Sequence, residues 1–394
     1  MRINKSLWIL CGIAMIDMMG FGIVLPLLPF YAQSMGASPL QVALIIASFP
    51  AMHLVMSPVW GRVSDRWGRR PLLIGGLCAS TVSYLAFGLA HTLWLVAASR
   101  IVAGAAGATY AVAQAAVADV TSDTDRTVGM GYLGAANGVG VMLGPSIGGY
   151  FSTFGLGFPG FVAAGLCLAN VLAALIVLPE TKQRTPSTPT GTDVLTWSAW
   201  IRAFRRFPLS VLVTIYFIAA STLEGIMAIF ALYLERAILI GAVEVGLLWT
   251  WAGVVQITVR GLLVGKFATR FGEHRLVIAG VCTLVCTMVL LPVMPSLPWT
   301  FVAATLYAAG AGLLFPALTS LTSRTVNTGS QGSILGGTQF IGGMGRILGP
   351  LWSGFVFQHV SIASPFLIGA GLFGVAVWLA SKIPDSAASR AVSL

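Results

Sequence analysis

Five ionisable side chains other than histidine fall well inside long apolar runs: Asp17, Arg100, Glu224, Arg260 and Arg346. Charge is costly in hydrocarbon, so each is a candidate for chemistry that requires it there. Asp17 comes about ten residues into the first run, roughly 15 Å deep at 1.5 Å per residue. A carboxylate at that depth can take up and release a proton as its surroundings change. The alternative is a polar group bonded to a neighbouring helix backbone. Glu224 lies at similar depth in the seventh run. It suits a second proton site, an anchor for a cationic part of a substrate, or a structural partner of Arg260 or Arg346. Arg100 either tunes the proton affinity of Asp17 or bonds to carbonyls. Arg260 is about one turn from the end of its run, where snorkelling accounts for it. Arg346 is deeper, and either pairs with an acid or touches substrate. Phe21, Gln114, Asn137, Gln256 and Gln339 also fall within runs, where they line a cavity or join helix to helix.

The densest charge is Gly61-Arg-Val-Ser-Asp-Arg-Trp-Gly-Arg-Arg-Pro71. It lies between two apolar runs and is expected to be a tight aqueous hairpin, with Gly61 and Gly68 supplying backbone geometry closed to other residues. Arg62, Arg66, Arg69 and Arg70 alone would serve as a topology signal. Asp65 among them is not explained that way. In the fifth run, Gly140, Gly144 and Gly148 share one helix face, which lets another helix approach closely. Pro145 removes one backbone hydrogen bond and permits a bend.

The elements that must position these groups follow from composition. Charged residues make up 9 % of the chain and hydrophobic ones 57 %, far from the roughly 25 % charge of soluble domains. The chain therefore reads as an all-α polytopic membrane protein. Twelve spans are expected, over about 7–31, 40–60, 71–90, 93–117, 127–150, 158–178, 208–233, 242–264, 274–294, 298–322, 332–356 and 362–383. Residues 1–180 and 208–394 form two six-helix bundles, joined by a cytoplasmic linker, 181–207, with a surface helix near Trp197 to Phe207.

The net charge of +10 is not a nucleic-acid footprint, because eighteen of the 22 Lys and Arg residues fall at the termini or in alternate loops. That bias places both termini in the cytoplasm. The halves repeat at an offset of 204–205 residues: Arg66-Trp67-Gly68 matches Arg270-Phe271-Gly272, and Gly144-Pro145 matches Gly349-Pro350. Asp65 aligns with Thr269, so the second copy reads as having lost its acid. Five cysteines, all in apolar runs, give neither a disulfide framework nor a metal ligand set.

The hairpin resembles the loop between helices 2 and 3 of the major facilitator superfamily, with Gly61, Asp65, Arg66, Gly68, Arg69 and Arg70 in register. Asp17, Gly20, Gly22, Pro26, Leu28 and Pro29 resemble the helix-1 motif of the twelve-helix drug:proton antiporters. Arg100-Ile-Val-Ala-Gly resembles the helix-4 motif, whose Arg is linked to proton coupling. Gly140, Gly144, Pro145, Gly148 and Gly149 resemble the antiporter motif associated with exporters. The resemblance implies that Asp119 contacts the hairpin arginines, so that with Asp65, Arg69 and Arg70 it latches the cytoplasmic face. The sequence is most similar to the bacterial tetracycline-efflux branch, with departures. Tetracycline carriers have an acid in helix 3 where this chain has Ser83, and one early in helix 9 where it has Gly280.

The expectation is a secondary antiporter of the bacterial inner membrane. It would export amphipathic drugs or related small molecules in exchange for protons, by alternating access. The chain is expected to need no cofactor or metal, to bind no nucleic acid, to meet only substrate, protons and lipid, to be a monomer, and not to be an enzyme. Proton coupling is assigned to Asp17, Arg100 and Glu224. Asp17, Phe21, Gln114, Asn137, Glu224, Gln256, Gln339 and Arg346 are expected to line the substrate cavity, with a preference for lipophilic amines or zwitterions. A proton-coupled metabolite importer and a narrow tetracycline-type exporter are the alternatives.

Overall fold

A computed structural model describes residues 5–107, 109–122, 125–181, 204, 206–325 and 331–383. Most of the expected linker and its surface helix lie outside them. The described chain is helical: α1 Lys5–Val24, α2 Leu28–Ser34, α3 Pro39–Trp67, α4 Arg69–Gly88, α5 Leu93–Gly107, α6 Thr109–Val120, α7 Arg126–Phe151 and α8 Phe158–Val177. There follow α9 Leu209–Ile238, α10 Ala242–Thr258, α11 Val264–Phe271, α12 Glu273–Val293, α13 Leu297–Arg324, α14 Gln331–His359 and α15 Ser364–Ser381. Ten helices, counting 93–120 and 242–271 as one each, are long and apolar enough to cross a membrane. The glycine-rich α7 and α14, with 26 and 29 residues, have the length to do so, and with them the spans agree with twelve.

The sequence explains the interruptions. The first span breaks after Val24 and resumes at Leu28, because Pro26 and Pro29 cannot donate to the helix ladder. Between α10 and α11 a π-helical turn covers Val259–Leu263 and shifts the register of the side chains that follow.

The hairpin differs from its expectation. Helix α3 runs through Trp67 and α4 starts at Arg69, so the connection is Gly68 alone, at φ +100°. A side chain is disfavoured there. Gly61 is an ordinary helical residue with open space where a Cβ would stand, so it supplies no special geometry.

Contacts group the chain into two units, residues 1–185 with 234–253, and residues 186–233 with 254–394. In the first, α1 packs against α7 and α8, and α4 against α5 and α8. Its core gathers Leu10, Leu77, Val112, Ala116, Leu133 and Ala174. In the second, α12 packs against α13 and α15.

Glycines set the closest approaches. A Cβ on Gly140 would lie 3.0 Å from the Met19 nitrogen, and one on Gly144 only 2.5 Å from the Gly22 carbonyl carbon. That face of α7 therefore seats α1 backbone against backbone. Gly149 and Pro145 meet a different helix, α10, at Val243 and Gly246. The repeat reproduces the first contact in the second unit, where Gly345 and Gly349 of α14 seat α9 at Ser221 and Gly225.

Candidate functional site: a buried acid and a polar cavity

In the first unit the chemistry centres on Asp17, which is 8 % exposed. It takes part in no ion pair among the described residues. The Ser80 hydroxyl of α4 faces its carboxylate, and Tyr84 and Cys167 complete its electrostatic surroundings. Gly20, one turn along α1, makes room for them: a Cβ there would stand 3.0 Å from the Tyr84 ring and 3.4 Å from the Cys167 sulfur. Arg100 of α5 is 3 % exposed. Its guanidinium carbon lies 4.9 Å from the Phe87 ring centre and 5.5 Å from that of Tyr84. Its Nε reaches the Ser99 hydroxyl at 3.4 Å, and Nη2 is buried with no hydrogen-bond partner among the described residues. Arg100 makes no ion pair with Asp17; Tyr84 is the residue that both influence electrostatically.

The remaining expected residues of this unit are spread out. Phe21 packs on Phe49, ring centres 4.7 Å apart. Gln114 is exposed. Asn137 is half-buried, and its Oδ1 accepts no hydrogen bond among the described residues.

Where α3 meets α4, Arg69 organises the charge cluster. Its Nη1 is 2.7 Å from Asp65 Oδ1, its Nε donates to Asp119 Oδ2 at 3.0 Å, and it also donates to the Ser64 hydroxyl. Arg70 donates through Nη2 to the Leu175 carbonyl at 2.6 Å. Arg66 is exposed. Sequence reasoning missed Glu180, whose carboxylate accepts the backbone N–H groups of Arg69 at 2.9 Å and Arg70 at 3.3 Å. It caps the first turn of α4 from another part of the chain, favourably placed against the helix dipole. Gly68 admits it: a Cβ there would come 2.5 Å from Glu180 Oε2. An acid two residues past the sixth apolar run was the available signal.

The second unit holds a cavity of about 760 Å³. Four expected residues converge on it: Glu224 from α9, Gln256 from α10, and Gln339 and Arg346 from α14. Tyr216, Tyr307 and Arg260 join them. Arg260 corrects the sequence reading: it lines this cavity from within the π turn. Tyr216 donates its hydroxyl to Gln339 Oε1 at 3.2 Å, and Tyr307 donates to the Leu223 carbonyl at 3.4 Å. Glu224 and Arg346 share the cavity and face each other electrostatically without closing an ion pair.

The second unit also keeps its own charge pair, although Thr269 stands where the first has Asp65. Glu273, the first residue of α12 and 8 % exposed, lies 2.9 Å from Arg324 at the end of α13. The same oxygen accepts from the Ser320 hydroxyl at 2.6 Å, and the other, Oε2, is buried without a partner among the described residues.

The chain matches the model of the Major Facilitator Superfamily over residues 10–341 and 212–393. Among curated proteins it is 30 % identical to the class C tetracycline resistance protein of Escherichia coli, over 89 % of this chain and 89 % of that one. It is 28 % identical to multidrug resistance protein 2 of Bacillus subtilis (strain 168), over 92 % of each. Among solved structures, the human organic anion transporter MFSD10 superposes with a TM-score of 0.70 at 23 % identity, covering 96 % of this chain and 100 % of that one. The nucleoside transporter NupG superposes at 0.78 and 14 % identity, covering 96 % and 98 %. Membrane-length helices, a buried unpaired acid and the matched family model together place the chain in the Major Facilitator Superfamily of membrane transporters.

Proposed function

We propose that the protein is a proton-coupled antiporter that exports amphipathic drugs or related small molecules across the bacterial inner membrane by alternating access, with both termini cytoplasmic and the monomer as working unit. The observation that carries this reading is Asp17. It is an acid buried mid-span with a hydroxyl and a phenol around it rather than a cation. A proton on Asp17 removes a charge that the surroundings do not otherwise balance. Its binding and release therefore change the energy of the conformations that bury or expose the site. Arg100, beside the same Tyr84 ring, would set how tightly that proton is held. The close seating of α1 on Gly140, Gly144 and Gly148 couples the acid-bearing helix to α7, the helix whose motif resembles that of exporters. The bundles 1–180 and 208–394 would be the moving parts, and the Arg69 cluster the cytoplasmic latch.

A broad substrate range is favoured over a narrow tetracycline-type one by two positions. Ser83, where tetracycline carriers place an acid, is buried and donates to the Ser99 carbonyl at 2.6 Å, tying α4 to α5. Gly280, the other such position, is packed against α13, with the Gly310 oxygen 3.0 Å from where a Cβ would stand. Neither offers a place for the acids tetracycline carriers use.

The test is uptake into inverted membrane vesicles from a host lacking its own drug pumps, energised by an imposed pH gradient. Accumulation of several unrelated amphipathic compounds, abolished by a protonophore, is the expected result. Uptake of one compound only would favour the narrow exporter, and uptake by right-side-out vesicles would favour import.

A further inference from the structure

We infer that the cavity of the second unit recognises an anionic group on the transported molecule, and that Arg260 is the residue that meets it. This deepens the transporter reading and rests on it.

The argument is one of charge and placement. Three ionisable side chains line the cavity: Glu224, Arg260 and Arg346. Arg346 and Glu224 face each other, so one cation offsets the acid. Arg260 has no acid of its own, no ion pair and no hydrogen bond among the described residues; its electrostatic neighbour is the Tyr216 phenol. The cavity therefore carries one uncompensated positive charge. The groups beside it, Tyr216, Gln256, Gln339 and Tyr307, supply amide and hydroxyl dipoles that can orient a ligand but cannot neutralise a guanidinium. An uncompensated cation in a recessed polar cavity is most favourably met by an anion, and guanidinium matches carboxylate geometry with paired donors.

The backbone supports the same reading. Arg260 is carried by the single π-helical turn described in the chain, Val259–Leu263. Such turns re-aim side chains and recur at functional sites. A regular α-helix through this stretch would change the direction of every following side chain. Gly312 of α13 lies directly behind it, with Val259 3.0 Å from where a Cβ would stand, so the turn is fixed by close packing.

The amines or zwitterions expected from the sequence followed from counting two acids, Asp17 and Glu224, and treating Arg260 as a membrane-surface residue. With Arg260 in the cavity the balance reverses. The substrate class becomes amphipathic monoanions, together with zwitterions whose acid end reaches Arg260.

The experiment uses a matched pair of fluorescent probes, dansyl-phenylalanine and dansyl-phenylalaninamide, which differ in having a carboxylate or a neutral amide. Binding is titrated on the full-length protein in lipid nanodiscs, with no gradient present. The wild type is expected to bind the acid at least about tenfold more tightly than the amide, the order of one charge-assisted hydrogen bond. Arg260→Gln should bring the ratio close to one, and Arg260→Lys should retain part of it. The ratio is taken within one preparation, so partial loss of folded protein cancels. Equal binding of acid and amide by the wild type, or an unchanged ratio in Arg260→Gln, overturns the inference. Failure of proton-coupled export in vesicles, with the acid preference intact in nanodiscs, would instead count against the antiporter reading alone.

Discussion

Arg69 and Glu273 hold equivalent places in the two repeats, each the first residue of a helix after a glycine with positive φ, and they carry opposite charges. Their partners are inverted to match. Arg69 bonds Asp119 at 3.0 Å, and Glu273 bonds Arg324 at 2.9 Å, with both partners at the C-terminal ends of the equivalent later helices. The repeat has kept the ion pair and exchanged its sign.

Removing one member of such a pair leaves its partner's charge uncompensated. Glu273→Gln should lower stability by about 1–3 kcal/mol, read as a fall in thermal midpoint of the purified protein. Combining Glu273→Arg with Arg324→Glu should recover part of that loss. If the double exchange is no better than the sum of its single variants, the pair has no coupling energy.

The Gly68 connection separates two glycines that look alike in sequence. Gly68→Ala would put a Cβ on a backbone at φ +100° and into the Glu180 carboxylate. A loss of about 1–3 kcal/mol is expected. Gly61→Ala, in a helix interior with open space around it, should be neutral or gain up to about 1 kcal/mol. Equal effects in a thermal melt would show that Glu180 does not cap α4 in the membrane.

The fifth span gives a similar contrast. Gly144→Ala cannot be accommodated without moving α1, whereas Gly138→Ala meets nothing within 4 Å. Transport in vesicles should be lost or fall by at least about tenfold in the first and persist in the second. Comparable activity in both would mean that the close seating of α1 is dispensable for transport.

The span pattern was legible because twenty apolar residues in lipid have few structures open to them. The ends of helices were less so, since a dense run of charge does not give the length of a connection, which at Gly68 is one residue. Asp17, Glu224 and Arg346 stood out because charge in a span is costly. Arg260 was misread, because its depth counted along a regular helix gives no hint of a π turn. Glu180 and the pair Glu273–Arg324 were missed for another reason. Each lies at or just past the end of a span, where a charge is unremarkable in sequence, and its partner is remote in the chain. Tyr84 and Ser80 were invisible as the surroundings of Asp17, because neither residue type is unusual in a helix.

The central claim is that Asp17 carries the coupled proton. Asp17→Asn keeps the size and hydrogen-bonding capacity of the side chain but cannot titrate. Purified wild type and variant would be reconstituted in proteoliposomes with a pH-sensitive dye inside, and proton movement recorded on addition of a transported compound. The wild type should show substrate-driven proton flux, and the variant none above empty liposomes, with substrate binding retained. Substrate-driven proton flux at the wild-type rate in Asp17→Asn would contradict the account.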